Sequence, residues 1–90
     1  MGKSSKVLKV KGPFGVHARP ASRFCMAAEK WPGDVWVHAG GQVANGKSVL
    51  DVMAVIAASD SFTVVVEGDD APEILETLVA ILIEEGCATL

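Results

Sequence analysis

Apolar and polar residues change their spacing several times along the 90 residues of this chain, and each change marks an element. Lys6-Val7-Leu8-Lys9-Val10-Lys11 partly alternates and predicts a first strand, ended by Gly12-Pro13. From Ala21 to Trp31 the spacing lengthens, so that Phe24, Ala28 and Trp31 share one helical face. Pro20 suits the first turn of that helix, because its missing N–H would have no intrahelical partner there. Trp31-Pro32-Gly33-Asp34 stops it. Val35-Trp36-Val37-His38-Ala39 is β-rich, Gly40-Gly41 signals a hairpin, and Gln42-Val43-Ala44 supplies the short partner strand before Asn45-Gly46.

The second half repeats the logic. Ser48 is an N-cap residue for a short helix over Val49–Ala58, in which Leu50, Met53 and Ala57 follow helical spacing. Phe62–Glu67 is the clearest strand, and its near-continuous apolar character predicts a central place in the sheet. Asp70-Ala71-Pro72-Glu73 reads as a capping-box variant opening the last helix. Ile74, Leu75, Leu78, Val79 and Leu82 form its buried face, with Gly86 as the stop. The order β-α-β-β-α-β-α predicts an α+β fold, helices on one face of a largely antiparallel sheet, with residues 1–90 as one domain.

Composition narrows the function. Half the residues are apolar, enough for one core without metals or disulfides, and a chain of this size buries roughly 60–70% of its unfolded surface. The net charge of −3 argues against nucleic-acid binding, and Lys3, Lys6, Lys9 and Lys11 are the solvated face of the first strand. Cys25 and Cys87 lack metal-ligand spacing, and no charged-then-apolar leader opens the chain. The apolar run Ile74–Ile83 is too short to span a bilayer. These features predict a cytoplasmic protein with reduced thiols, no metal and no membrane contact.

Two segments compete for phosphate. Gly15-Val16-His17-Ala18-Arg19-Pro20 sets an imidazole at a helix start, where unpaired backbone N–H groups and the positive end of the dipole attract anions. An unprotonated ring nitrogen there can attack phosphorus and later leave, with the Arg19 guanidinium beside it. Gly41-Gln42-Val43-Ala44-Asn45-Gly46-Lys47-Ser48 matches the P-loop pattern G-x-x-x-x-G-K-[ST], with Lys47 on the terminal phosphates and Ser48 on magnesium. Size opposes that reading, because each βαβ unit of a P-loop domain needs roughly 30 residues. A turn feeding an N-cap fits Gly46-Lys47-Ser48 better. The Ser48 hydroxyl, exposed beside Asn45-Gly46, is also a place where a phosphate would be stabilised by the helix dipole.

Gly15-Val16-His17-Ala18-Arg19-Pro20-Ala21 and Gly46-Lys47-Ser48-Val49-Leu50-Asp51-Val52-Met53, in this element order, closely resemble the HPr family, the histidine-containing phosphocarriers of the bacterial phosphoenolpyruvate-dependent sugar phosphotransferase system. The resemblance covers essentially the whole chain. It implies an open-faced sandwich, with four antiparallel strands and three helices on one face, acting as a monomeric phosphoryl carrier and not as an enzyme. It implies that His17 takes a phosphoryl group on Nδ1 from phosphorylated enzyme I, and that the A component of a sugar permease receives it. Arg19 is then the charge partner and Ser48 the regulatory target of HPr kinase/phosphorylase. Val49, Leu50 and Met53 match the apolar surface on which partners dock, and no cofactor is implied. Phe14 stands near a position that is often Asn in the family. Met26 and Glu29 stand where lysines are frequent, leaving Arg23 and Lys30 to meet acidic partners. These departures, and a loop at 57–61 without the usual glycines, keep a non-sugar branch or a module phosphorylated mainly on Ser48 as alternatives.

Overall fold

A computed structural model describes residues 2–11, 17–57 and 59–90. The expected turn at 12–16, Phe14 included, and Ala58 lie outside the described residues. Eight elements follow one another: β1 (Gly2–Val10), α1 (Ala18–Glu29), β2 (Asp34–Ala39), β3 (Gln42–Asn45), α2 (Val49–Ala57), β4 (Ser61–Gly68), α3 (Ala71–Glu84) and β5 (Ala88–Thr89). The strands form one sheet in the order β3-β2-β4-β1-β5, antiparallel at every pairing. The α+β expectation holds, with a fifth strand added to the four that the resemblance implied.

β4 takes the middle of the sheet, as its apolar run predicts. Phe62, Val64 and Val66 point to the helices and are almost wholly buried. Their partners in register are Leu8, opposite Phe62, and Val37 and Val35, opposite Val64 and Val66. Phe24 of α1, Val52 and Ile56 of α2, and Leu78 and Leu82 of α3 cover this surface. Burying a side chain such as Phe24 contributes about 1.5–3 kcal/mol, so the layer contact dominates the stability. α1 packs against both α2 and α3 and lies between them. Ile74, Leu75 and Val79 of α3 are only half-buried, packed at the margin of the core.

Trp31 ties the connections together. Its indole Nε1 donates to the Asp69 carbonyl at 3.1 Å, and its own carbonyl accepts from Lys47 Nζ at 2.8 Å. Lys47 is thus drawn under the end of α1, and residues 42–45 are hairpin strand, so the P-loop pattern is not a phosphate cradle here. The hairpin turn uses Gly40 (φ +57°) and Gly41 (φ +79°), the left-handed pair that matches strand twist. Gly46 donates to the Val35 carbonyl at 2.7 Å and is pressed against that residue. Cys25 and Cys87 are buried free thiols. Burial, with the Glu29 charge adding, pushes the Cys25 thiol up to about 11, and burial also raises Cys87.

Three local expectations need correction. β1 begins at Gly2 and not at Lys6, because Gly2–Ser5 find partners in Gly68–Val65. α1 ends at Glu29, with Lys30 as its C-cap, short of Trp31. Asp70 is the N-cap of α3, but its backbone is left-handed (φ +63°) and its side chain makes no capping bond, so the capping box does not form. Gly86, by contrast, ends α3 as expected (φ +73°). Its N–H donates to Ile83 at 3.0 Å, and Cys87 N–H donates to Leu82 at 3.3 Å, which is a Schellman motif.

A methyl group on Gly46 would lie 2.8 Å from Val35 Cβ and 2.9 Å from the Val35 carbonyl oxygen. Gly46→Ala is expected to cost about 1–3 kcal/mol through overpacking, read as a lower urea midpoint at unchanged slope.

Candidate functional site

His17 is the N-cap residue of α1, with extended backbone (φ −93°, ψ −175°). Its carbonyl accepts the Ala21 N–H at 3.1 Å, the first hydrogen bond of the helix. The imidazole is exposed, and among the described residues no capping bond occupies either ring nitrogen. Ala18 and Arg19 present first-turn N–H groups, whereas Pro20, the third helical residue, has none to offer. No acidic residue lies in this first turn, so nothing on α1 itself neutralises its positive end.

The charge beside His17 comes from another helix. Arg19 Nε lies 3.4 Å from Glu85 Oε1, and Arg23 Nη1 donates to Glu85 Oε2 at 2.7 Å. Arg23 Nη2 adds a longer bond to Glu84 Oε2 at 3.4 Å. The Schellman turn at Gly86 sets Glu85 at the very end of α3, with only 11% of its side chain exposed. Carboxylates at a helix C-terminus oppose the dipole, and α3 has no basic residue of its own in its last turn. α1 supplies the missing cations. The hydrogen bond from Arg23 chiefly lowers the Glu85 pKa, burial acts against it, and the charges of Arg19, Arg23 and His17 lower it further.

The remaining sequence-derived residues sit on α2 and its approach. Asn45 Oδ1 accepts the Lys47 N–H at 2.9 Å, and the Asn45 carbonyl accepts the Ser48 N–H at 3.0 Å. This turn leaves Ser48 half-buried at the N-cap position, its carbonyl taking the Val52 N–H at 3.0 Å. Leu50 is 79% exposed, while Val49 and Met53 pack partly against the core. His38 lies exposed on β2 in register with Val43 and Thr63, on the sheet face opposite the helices, and joins neither group. Among the described residues no three His, Cys, Asp or Glu side chains cluster as metal ligands, and no helix is long and apolar enough to cross a membrane. Glu85 escaped the sequence reading. A glutamate before a helix-stopping glycine is visible, but nothing local says that this helix ends beneath the start of another.

Residues 4–84 match the family model described as the PTS HPr component phosphorylation site. The chain belongs to this family. It is an HPr-family phosphocarrier, 39% identical over 77 residues to the phosphocarrier protein HPr of Lysinibacillus sphaericus, an alignment covering 84% of this chain and 88% of that one. It is also 31% identical to the HPr-like protein Crh of Halalkalibacterium halodurans, over 89% of this chain and 96% of the relative. Among solved structures, the phosphocarrier protein HPr of Bacillus anthracis superposes with a TM-score of 0.76 at 32% identity, covering 90% of this chain and 98% of that one. A multiphosphoryl transfer protein of Xanthomonas campestris pv. campestris is 39% identical over 71 residues, but this chain spans only 8% of its length. The HPr frame thus carries the α1–α3 ion pairs described above.

Because Glu85 is held below the usual carboxylate range, its contribution to folding is fully present above about pH 4.3, the ordinary glutamate value, and is lost as pH falls toward its folded pKa. Thermal unfolding should therefore separate the parent chain from Glu85→Gln at neutral pH, with the gap closing below about pH 4. A gap independent of pH would assign the effect to packing.

Proposed function

We propose that His17 is the phosphoryl-carrying residue, loaded by phosphorylated enzyme I and discharged to the A component of a sugar permease. The observation that carries this reading is an imidazole free of any capping bond at the N-terminus of α1, whose first turn holds no acidic residue, with a guanidinium two residues on. The Nδ1 lone pair attacks phosphorus, and the bond from phosphorus to the donor breaks as the new P–N bond forms. Delivery reverses this with the acceptor as nucleophile. The phosphoryl oxygens meet the N–H groups of Ala18 and Arg19 and the Arg19 guanidinium, which turns toward them from Glu85. No cofactor enters either step.

Ser48 is the second control point. A phosphate at this N-cap is stabilised by the α2 dipole while adding negative charge beside Leu50, where partners dock. HPr kinase/phosphorylase is the proposed agent. The similarity to an HPr-like protein Crh keeps a mainly regulatory role as the second reading. His17 and Arg19 together support the carrier.

Incubation with phosphoenolpyruvate and enzyme I should add one acid-labile phosphoryl group by intact mass, absent in His17→Ala. Equal labelling of the variant would refute the assignment. ATP with HPr kinase/phosphorylase should add an acid-stable phosphate that Ser48→Ala loses, and label persisting in that variant would place the modification elsewhere.

A further inference from the structure

The sheet has a second face, which no helix covers. Strand register sorts its side chains into rows running across the strands. At one end Asp34 of β2, Glu67 of β4 and Lys3 of β1 lie side by side. At the other end the charge is Lys9, opposite Ser61. The two rows between them hold no carboxylate, lysine or arginine. One carries Trp36, Val65 and Ser5 across β2, β4 and β1, and the next carries His38, Thr63 and Val7.

This middle ground is apolar and open. Val7 is 60% exposed, and Val43, opposite His38 on β3, is 56% exposed. Trp36, Val43 and Val65 line one shallow groove. An uncharged centre with charges at its ends is the layout of a protein interface, core within rim. The whole chain carries a net charge of −3, yet on this face Lys3 and Lys9 cancel Asp34 and Glu67. A second copy of the same face therefore meets no net repulsion.

Two such faces stack with a two-fold axis either across or along the strands. Across the strands, each strand covers its own counterpart end to end, which sets Lys3 on the partner's Lys9. Along the strands, β4 covers β4, β2 covers β1, and every row stays level with itself. Asp34 then faces the partner's Lys3, twice over, and the Trp36 indole lies on the small side chain of the partner's Ser5. The two Glu67 carboxylates that meet at the axis are each flanked by a Lys3. Strands of the two sheets run in the same sense, within about 30° of each other, the aligned packing of sheet on sheet. Four strands about 4.8 Å apart and eight residues of β4 at about 3.3 Å each give a footprint of roughly 500 Å² per copy. The pair thus buries about 1,000 Å², the lower bound for a specific interface.

We propose that the uncovered sheet face binds a second copy of this chain, in a two-fold dimer whose axis runs along β4. The helices lie on the outside of both copies, so both His17 imidazoles stay open to solvent. The chain is a monomer when dilute, as the family resemblance implies, and a dimer when concentrated. Sedimentation velocity from about 5 to about 500 µM should show the monomer giving way to the dimer, with a midpoint of about 10–100 µM. Thr63→Lys sets two ammonium groups against each other at the axis and should weaken association by about tenfold or more. Lys3→Asp should weaken it by about threefold or more, and adding Asp34→Lys should return it to within about twofold of the parent. Circular dichroism checks the fold of each variant. Ser5→Glu, at an exposed position against the partner's Trp36, replaces Thr63→Lys if that variant fails to fold. A chain still monomeric at about 500 µM overturns the proposal and leaves the face to a different partner. A dimer that survives Thr63→Lys uses another surface, which overturns it equally. Association strengthened by Lys3→Asp, or not restored by Asp34→Lys, overturns the axis along β4 and with it the proposed dimer.

Discussion

Everything in this molecule depends on covering one face of the sheet. β4 runs through its centre with Phe62, Val64 and Val66 turned to the helices, and neither neighbouring strand could remain extended if that face met water. The three helices supply the cover, and their placement over the sheet brings the start of α1 beside the end of α3. His17, Arg19 and Glu85 are neighbours as a by-product of this packing. The site is a corner of the fold and needs no cavity of its own.

Trp31 stiffens the opposite end of α1, away from that corner. Through its indole N–H and its carbonyl it joins the end of α1 to the turn before α3 and to the segment before α2. A shift of α1 against the sheet would strain both bonds together. Few polar links are needed elsewhere, because no buried side-chain nitrogen or oxygen is left unpaired among the described residues. Among the described residues the buried side chains are hydrocarbon, two thiols and the Trp31 indole, and the charged groups stay at the rim.

Much of this was legible in the sequence where local chemistry decides conformation. Gly40-Gly41 announced a hairpin because left-handed backbone is cheap only for glycine, and Gly86 announced the end of α3 for the same reason. His17 was found because a helix start has unpaired donors whatever surrounds it. Partnership decided the rest. Ser4 and Ser5 carry no strand signal, yet they are strand because β4 offers them a ladder, and two-residue β5 exists only because β1 has a free edge beside it. The Arg23–Glu85 pair joins residues 62 positions apart, so no local window contains it. Asp70 misled because its residue type suits capping while its left-handed backbone points the side chain elsewhere.

The two thiols carry a last consequence. With its pKa pushed to about 11 and its side chain sealed under α1, Cys25 holds almost no thiolate near neutral pH, and Cys87, raised in the same direction, donates its S–H to Leu82. Thiol oxidation and alkylation proceed through thiolates that the reagent can reach, so both sulfhydryls are silent toward such reagents in the folded chain. Opening the core would give both sulfurs to solvent and restore ordinary acidity. The rate at which a thiol reagent consumes them is therefore a clock for how often the helices lift from the sheet.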